Sequence, residues 1–341
     1  MPTVLHVGPA LSKGGMGAVI QTLAANPPEG WDAEVLATHA DGGAIAVGRA
    51  WLRGRKALRK RLRRGGIDVV HVHTAADWSW WRKRRVIEIC RARDLPVILH
   101  IHAGNFDAFC KEKGAEIAAA ISRGGVLPVT LTPTWQTRLQ PWLGRSQVVA
   151  NPAPQPDPVP SSKRDRMAFA LVGRAKPVKN HRMAIEVVNQ LRLTGHDITL
   201  HLLGVAPDDP IMAAADEGII AHGWLTGEAK AAVLDGCGTL LSPSFWEGQS
   251  MAVLEAMAKG MPVLASEASA DLFVEAGHVL PDLRPKVWIR YIHSLLSNPE
   301  VWGKMADAGP VEVEKFTLAR ARVRWGELYA RAIQQESEGQ P

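Results

Sequence analysis

The chain of 341 residues has only three cysteines, Cys90, Cys110 and Cys237, and none belongs to a Cys-x-x-Cys pair. Such a set excludes a disulfide scaffold and a cysteine zinc site, and it is typical of a reducing compartment. No run of about 18 apolar residues occurs, so no transmembrane helix is predicted. The N-terminus has no basic segment ahead of an apolar one, which argues against a signal peptide. We therefore expect a cytoplasmic protein.

Acidic residues are scarce in the first half of the chain. Residues 1–155 contain 21 Lys and Arg against 11 Asp and Glu, whereas residues 156–341 contain 19 against 23. This imbalance indicates an anionic partner for the first half, for which membrane, polyphosphate and nucleic acid are the candidates. The overall composition, with 46% hydrophobic and 22% charged residues, is that of a globular protein and excludes a disordered chain.

Short β-branched runs such as Thr3–Gly8 and Val97–His102 alternate with helix-like stretches such as Glu112–Arg123. This alternation predicts parallel sheets covered on both faces. Five prolines within residues 151–160 predict an extended linker, after which the pattern restarts. The fold class is therefore α/β, with two Rossmann-like, doubly wound domains facing a central cleft. We place the first domain at residues 1–153 and the second at residues 154–317.

The richest segment, residues 240–266, reads LLSPSFWEGQSMAVLEAMAKGMPVLAS. It predicts a strand, a turn, a helix and a second strand. Glu247 lies in the turn and Glu255 lies one to two turns into the helix, so both carboxylates can face the mouth of the same cleft. The backbone amides of residues 248–251 lie at a helix N-terminus, which suits an anion. The alternative is that Glu247 caps the helix and that Glu255 is a solvated helix residue.

A second segment, residues 169–185, reads FALVGRAKPVKNHRMAI and predicts a strand, a Gly-Arg turn and a helix. Arg174 and Lys179 are five residues apart, so both can point into the cleft and neutralise a diphosphate. A solvated basic loop is the alternative. Near the N-terminus, Gly14 and Gly15 follow the first strand in an order that does not fit the G-x-G-x-x-G dinucleotide fingerprint.

Histidines alternate along two predicted strands. His100 and His102 face the same side of their strand, and His73 ends the strand before it. These side chains are core residues, metal ligands or residues that line the cleft. No Cys, Asp or Glu lies near enough in sequence to complete a zinc site, so the sequence disfavours a metal.

The motif PSxxEGxxxxxLEAMAxGxPVxAS strongly resembles the signature of retaining family-4 glycosyltransferases with the GT-B fold. It is carried here by Pro243, Ser244, Glu247, Gly248, Leu254, Glu255, Ala256, Met257, Ala258, Gly260, Pro262, Val263, Ala265 and Ser266. The resemblance implies that Glu247 contacts the donor sugar and that Glu255 binds the ribose hydroxyls. It also implies that the donor meets the amides of Gly248, Gln249, Ser250 and Met251.

The other segments resemble further parts of this family. The resemblance places Arg174 and Lys179 on the nucleotide diphosphate, Gly15 beside the donor phosphates and His102 on the donor sugar. Arg174, Lys179, Glu247 and His102 are therefore the expected catalytic residues, and we expect Gly14, His73 and His100 to line the cleft. The segment Glu247-Gly248-Gln249-Ser250 departs from the EGFG of many family members, so the sugar specificity does not follow from the resemblance.

The resemblance implies a retaining hexosyltransferase whose first domain binds the acceptor and whose second domain binds a nucleotide sugar of UDP or GDP type. It also implies that a helix at about residues 318–335 crosses back onto the first domain. No Asp-x-Asp motif occurs, so we expect no metal ion and no cofactor. Two other hypotheses remain: a catalytically degenerate protein that binds anionic membrane or nucleic acid, and a nucleotide-sugar epimerase.

Two basic segments, residues 49–64 and 78–85, have tryptophans beside arginines. Such segments suit a membrane interface, where indole rings sit at headgroup depth and cations meet anionic lipid. A solvated basic helix and a nucleic-acid surface are the alternatives, and we rank nucleic acid lower. We expect a peripheral position on the inner face of the cell membrane and an acceptor that is a lipid-linked saccharide or a precursor of polysaccharide or lipopolysaccharide. The predicted membrane or acceptor face comprises Trp51, Arg59, Arg63, Trp80, Trp81, Arg82 and Lys83.

Overall fold

A computed structural model describes residues 1–122 and 124–338. The chain divides into two compact units, Met1–Pro152 with Leu318–Pro341, and Ala153–Thr317. The division falls one residue earlier than the predicted boundary. Each unit is built on its own sheet of six parallel strands. Among the described residues, no helix is both long enough and apolar enough to span a membrane.

The first unit alternates strands and helices along the chain. Its elements are β1 (Thr3–Gly8), α1 (Gly15–Ala25), β2 (Asp32–Ala37), α2 (Ala44–Leu62), β3 (Val69–Thr74), α3 (Trp78–Arg91), β4 (Val97–Ile101), α4 (Phe106–Ile121), β5 (Val126–Thr130), α5 (Pro133–Leu143) and β6 (Gln147–Val148). The strands are ordered β2-β1-β3-β4-β5-β6. Arg123, the predicted end of the fourth helix, lies outside the described residues.

The two faces of this first sheet have different chemistry. One face contributes aliphatic side chains, such as Val70, Val72 and Leu99, to a core shared with α2 to α5. Because successive side chains of a strand point to opposite faces, the intervening positions of β3 and β4 lie on the other face. Several of these positions are histidines, and they meet the C-terminal helix of the chain. Its residues Trp325 and Tyr329 are fully buried.

The second unit repeats the doubly wound pattern. Its elements are β7 (Asp165–Val172), α6 (His181–Leu193), β8 (Thr199–Leu203), β9 (Ile219–Ala221), α7 (Gly227–Gly236), β10 (Cys237–Ser242), α8 (Met251–Ala258), β11 (Val263–Ala265), β12 (Gly277–Val279), α9 (Pro285–Leu296) and α10 (Pro299–Val313), and α11 (Leu318–Glu338) then returns to the first unit. The strand order is β12-β11-β10-β7-β8-β9.

Both faces of the second sheet are apolar. Phe169 and Leu171 of β7 enter a core with α6, α9 and α10, whereas Ala168 and Ala170 enter a separate core with α8. The small alanine side chains leave room for α8 to approach the sheet. This layer matters for function because α8 follows the turn that contains Glu247.

The proline-rich segment at residues 151–160 lies along the second unit rather than bridging solvent. The amide of Asp157 donates to the carbonyl of Ala258 over 2.8 Å, and the amide of Val159 donates to the carbonyl of Lys259 over 3.1 Å. The segment is extended, as predicted, but from Ala153 onward it belongs to the second unit. These amides pair with carbonyls at the end of α8 that the helix itself leaves unpaired.

Trp80 and Lys83 do not belong to an exposed face, which corrects the prediction made for them. They lie on the side of α3 that also buries Val86 and Ile87, and Trp80 is 0% and Lys83 1% exposed. These positions are three or four residues apart, so they lie on one side of the helix, and that side faces the core. Lys83 donates to the hydroxyl of Thr38 over 2.8 Å. Burial lowers its pKa to about 7.

Helix α10 supports α8 through a glycine contact that a substitution can test. A Cβ at Gly309 would lie 2.7 Å from the carbonyl oxygen of Met257 in α8. We expect Gly309→Ala to destabilise the second unit by about 1–3 kcal/mol, because the two helices must separate. The measurement is the free energy of unfolding in urea.

The matched control is Gly303→Ala on the same helix, where a Cβ has open space. There the better helix propensity of alanine is expected to stabilise the unit by roughly 0.5–1 kcal/mol. Equal effects of the two substitutions would contradict the assigned contact.

Candidate functional site

The predicted cation Lys179 and the predicted carboxylate Glu247 are in direct contact in the second unit. Nζ of Lys179 donates to Oε1 of Glu247 over 2.6 Å, and the hydroxyl of Ser244 donates to the same oxygen over 2.7 Å. The two residues are 68 positions apart in sequence. They meet because β7 pairs with β10, so that the loops following both strands leave the same edge of the sheet.

Two further hydrogen bonds to backbone carbonyls fix this edge. The amide of Phe245 donates to the carbonyl of Val178 over 2.8 Å and joins the two loops. The hydroxyl of Ser266 donates to the carbonyl of Ser244 over 2.5 Å, which ties the turn before Glu247 to the end of β11. The carboxylate of Glu247 is therefore held from three strands.

Arg174 lies in the loop directly after β7, next to Gly173. Gly173 has a φ of 155°, and a Cβ there would lie 3.0 Å from Cε of Lys179. This turn lets the lysine side chain pack over the backbone. His181, which the sequence did not single out, supports the turn through its Nε2, 3.2 Å from the carbonyl oxygen of Gly173. Burial lowers the pKa of His181 to about 4, so at neutral pH the imidazole is uncharged and Nε2–H donates.

The start of α8 is the predicted anion site. Ser250 precedes the first helical residue, Met251, and its hydroxyl is buried without a hydrogen-bond partner among the described residues. Gln249 is also buried, whereas Gly248 is only partly buried. Unpaired amides of the first turn carry partial positive charge. This N-terminus follows Glu247 in the chain, so it lies at the same edge as the Lys179–Glu247 pair.

Glu255 lies one turn further along α8 and forms an ion pair with Lys230 of α7. Both side chains are partly buried. The sequence analysis missed Lys230, since a single lysine in a helix of mixed composition gives no signal. The two glutamates of the motif thus have the same environment, in which each carboxylate is paired with a lysine from another element.

In the first unit, Gly14 and Gly15 lie where predicted, between β1 and α1. Gly14 is the residue before the helix and has a φ of 134°, which favours glycine. Gly15 is the first residue of α1. The loop therefore ends in a helix N-terminus without a capping side chain.

The predicted histidines form part of a larger cluster. His73, His100 and His102 are joined by His6 and His71 from neighbouring strands. The strand register places His6 beside His71 and His73 beside His100. His102 follows β4 and is partly exposed at the edge of the sheet, whereas the other four imidazoles are buried.

The histidines contact one another through their ring nitrogens. Nδ1 of His6 lies 3.0 Å from Nε2 of His73, whose Nδ1 lies 3.0 Å from Nε2 of His102. Nδ1 of His100 lies 3.1 Å from Nε2 of His71. A neutral imidazole has one N–H and one lone pair, so each uncharged ring can donate to one neighbour and accept from another.

Burial keeps these rings uncharged. It lowers the pKa of His6 and of His102 to about 3, and it lowers the pKa values of His71, His73 and His100 well below the usual range. For the last three, mutual repulsion with neighbouring histidines adds to the effect of burial. His102 therefore presents a neutral imidazole at the edge of the first sheet.

The basic face of the first unit differs from the predicted one. Arg59 and Arg63 are exposed, Trp81 is exposed at 36%, and Trp51 and Arg82 are partly buried. The most exposed large apolar side chains of the same two helices, α2 and α3, are Ile45 at 73%, Leu52 at 57% and Trp78 at 78%. The predicted face did not include Ile45, which lies in α2 ahead of the basic segment at residues 49–64.

Residues 166–298, which include the whole Lys179–Glu247 edge, match the family model described as Glycosyl transferases group 1. The chain is 25% identical over 251 residues to a D-inositol 3-phosphate glycosyltransferase of Streptomyces bingchenggensis. That alignment covers 70% of this chain and about half, 49%, of the relative. The chain is also 26% identical over 274 residues to a 2-deoxystreptamine glucosyltransferase of Streptomyces kanamyceticus. That alignment covers 71% of this chain and 70% of the relative.

Solved structures share the fold at low sequence identity. Sucrose-phosphate synthase from Thermosynechococcus elongatus superposes with a TM-score of 0.78 at 15% identity, covering 97% of this chain and 99% of that one. Anabaena HepE, solved in complex with UDP and glucose, superposes with a TM-score of 0.74 at 12% identity, covering 97% and 100%. The fold class is therefore confirmed: the chain has the two Rossmann-like units of GT-B glycosyltransferases.

The histidine cluster predicts a stability that depends on pH. An unfolded histidine titrates near 6.5, whereas the native pKa values of His6 and His102 are about 3. Below pH 6.5 the unfolded state binds more protons than the native state, so stability is lost as the pH falls toward 3. Between pH 7 and pH 5 we expect a loss of about 2 kcal/mol for each of these two histidines.

The measurement is the urea midpoint of the first unit at pH 7 and at pH 5. In His6→Asn the loss between the two pH values is expected to shrink, because one titrating imidazole is gone. The control is His293→Asn, at an exposed position of α9 in the other unit, which is expected to keep the full loss. A pH-independent midpoint in the unmodified protein would contradict the neutral cluster.

Proposed function

We propose that this chain is a retaining hexosyltransferase that moves a sugar from a nucleotide-diphosphate donor of UDP or GDP type to an acceptor without a metal ion. The observation that carries the proposal is the contact between Lys179 and Glu247 at the edge where β7 and β10 end. A carboxylate can accept hydroxyl groups of a sugar while the adjacent cation attracts its phosphate. The family match of residues 166–298 supports this assignment.

In this proposal the second unit binds the donor. Arg174, Lys179 and the first turn of α8 stabilise the departing diphosphate, and Glu247 orients the sugar. Glu255 accepts hydrogen bonds from the ribose hydroxyls, and its ion pair with Lys230 keeps it oriented. The UDP and glucose of the HepE complex are consistent with such a ligand.

The reaction proceeds on one face of the sugar. The bond between the anomeric carbon and the phosphate oxygen breaks, and the acceptor hydroxyl forms a bond to the same face of that carbon. The departing phosphate takes the hydroxyl proton, so no protein nucleophile is needed. The first unit supplies the acceptor site in this proposal, and burial keeps the imidazole of its His102 neutral.

The test of this site is Arg174→Ala. Removal of one cation from the developing charge of the diphosphate is expected to lower kcat/KM by roughly 10²-fold, about 3 kcal/mol of transition-state stabilisation. Transfer is measured with UDP- and GDP-sugars, and calorimetry with UDP, GDP and ADP identifies the base. Both are run with and without EDTA.

The matched control is Arg290→Ala, an exposed arginine of α9 in the same unit, which is expected to leave turnover unchanged. Unchanged turnover in Arg174→Ala would exclude the assigned role. Loss of activity in EDTA that Mg²⁺ or Mn²⁺ restores would exclude the metal-free mechanism. A donor converted to its epimer without acceptor would show an epimerase instead.

We further propose that the acceptor is a lipid-linked saccharide or a polysaccharide or lipopolysaccharide precursor, reached at an anionic membrane surface on the cytoplasmic side. Helix α2 begins with the sequence AIAVGRAWL, in which Arg49 is the one charged residue, and its Ile45 and Leu52 are exposed. Its C-terminal half contains many cations and no acidic residue. An apolar helix start that is followed by cations suits insertion at the headgroup boundary.

Vesicle binding tests the membrane proposal. The double variant Ile45→Ser, Leu52→Ser is expected to bind vesicles of phosphatidylserine and phosphatidylcholine at least about tenfold more weakly, since two exposed apolar side chains no longer enter the interface. Sedimentation with vesicles gives the partition coefficient.

Val323→Ser provides the control, because Val323 is an exposed apolar residue of α11 in the same unit. It is expected to leave binding unchanged. Equal binding to neutral vesicles would show that charge plays no part, and no binding to either vesicle would reject the membrane surface.

A further inference from the structure

The histidine cluster of the first unit is larger than a donor-sugar contact requires. Only His102 reaches the edge of the sheet, whereas His6, His71, His73 and His100 are buried behind it. Buried polar groups normally require hydrogen-bond partners. Nε2 of His100 has none among the described residues.

We propose that His73, His100 and His102 form a binding site for a divalent transition metal, Zn²⁺ in preference to Mg²⁺ or Ca²⁺. One ring nitrogen of each lies within 4.8 Å of the ring nitrogens of the other two. The ligand set consists of imidazoles alone, and imidazole favours zinc, copper, nickel and cobalt over the oxygen-seeking ions. This proposal does not depend on the proposed glycosyl transfer.

The spacing of one nitrogen pair is close to that of metal ligands. Nδ1 of His73 and Nε2 of His102 are 3.0 Å apart and share a proton. In a tetrahedral zinc site with metal–nitrogen distances of about 2.0–2.1 Å, two ligand nitrogens lie about 3.3 Å apart. A small rotation of either ring therefore lets the two lone pairs bind one ion in place of the proton. The proton of His102 then lies on its other ring nitrogen, so no net proton is released.

The remaining contacts of the cluster orient these ligands. When His100 donates from Nδ1 to Nε2 of His71, its unpartnered Nε2 has the lone pair that a metal requires. His71 in turn contacts the hydroxyl of Tyr329 through Nδ1, at 2.8 Å. His73 is held in the same way, with Nε2 3.0 Å from Nδ1 of His6. Hydrogen bonds to the second nitrogen of a ligand histidine are the usual support of metal sites.

The position of the site provides an entry path. His102 is partly exposed at the end of β4, whereas His73 and His100 lie deeper. The second group of neighbouring histidines, His6, His71 and His73, is fully buried. We therefore assign the metal to the group that contains His102 and assign His6 and His71 to its support.

Cobalt titration tests the site directly, because tetrahedral Co²⁺ gives visible ligand-field bands whether or not the protein is active. The protein is treated with EDTA, dialysed and titrated with Co²⁺, and Zn²⁺ is then added in competition. We expect one Co²⁺ per chain with these bands, displaced by Zn²⁺. The variant His102→Ala is expected to lose these bands. The control is His201→Ala in β8 of the second unit, where His201 contacts His222. This control is expected to keep the bands.

A second variant guards against a folding defect. Tyr329→Phe keeps the ring that packs on Trp325 and removes only the hydroxyl that contacts His71. It is expected to bind Co²⁺ at least about tenfold more weakly, as for other supporting groups of metal sites. Absence of the bands in the unmodified protein overturns the proposal. So do bands that persist in His102→Ala, or bands that disappear in His201→Ala.

Discussion

The parallel pairing of β7 with β10 is the constraint on which the candidate donor site depends. It brings together two loops that are far apart in sequence, and it places Lys179 2.6 Å from Glu247. Parallel sheets require both faces to be covered, and the alternation of Phe169 with Ala170 along β7 meets that requirement with two separate cores. Strand β7 therefore contributes to both cores and also positions the site, because the loop that contains Arg174 begins where β7 ends.

The first unit uses the same architecture with a different second face. Its sheet is aliphatic toward α2 to α5, but toward α11 it presents stacked imidazoles, such as the rings of His71 and His73 with centroids 4.1 Å apart. Trp325 of α11 lies against His71. Neutral imidazoles can satisfy one another in a chain of hydrogen bonds, whereas a charged ring would be desolvated and two charged rings would also repel each other. The packing of the C-terminal helix α11 against this sheet therefore depends on the protonation state of the histidine cluster that it covers.

Much of this arrangement was predictable from the sequence, because strand ends and helix starts are marked by local patterns. The segments around Arg174 and Glu247 showed such patterns. Helices α5 and α10 have a weaker local pattern because each contains an internal proline, although Thr132 and Asn298 cap their N-termini with side-chain hydrogen bonds. Partners across elements left no local signal: Lys230 beside Glu255 and the burial of Lys83 depend on which face of a helix meets the sheet.

Each of the two motif glutamates is paired with a lysine from another element, Glu247 with Lys179 and Glu255 with Lys230. A partly buried carboxylate is costly to leave unpaired, so a lysine partner stabilises the apo form of each. The same lysine need not leave when an anionic ligand arrives, because an ammonium group has three donors and can contact a carboxylate and a phosphate together. At Glu247 the serine hydroxyl of Ser244 donates to the oxygen that Lys179 also contacts. The carboxylate is thus held in place independently of the ligand, which is the preorganisation that a charge-stabilising site requires.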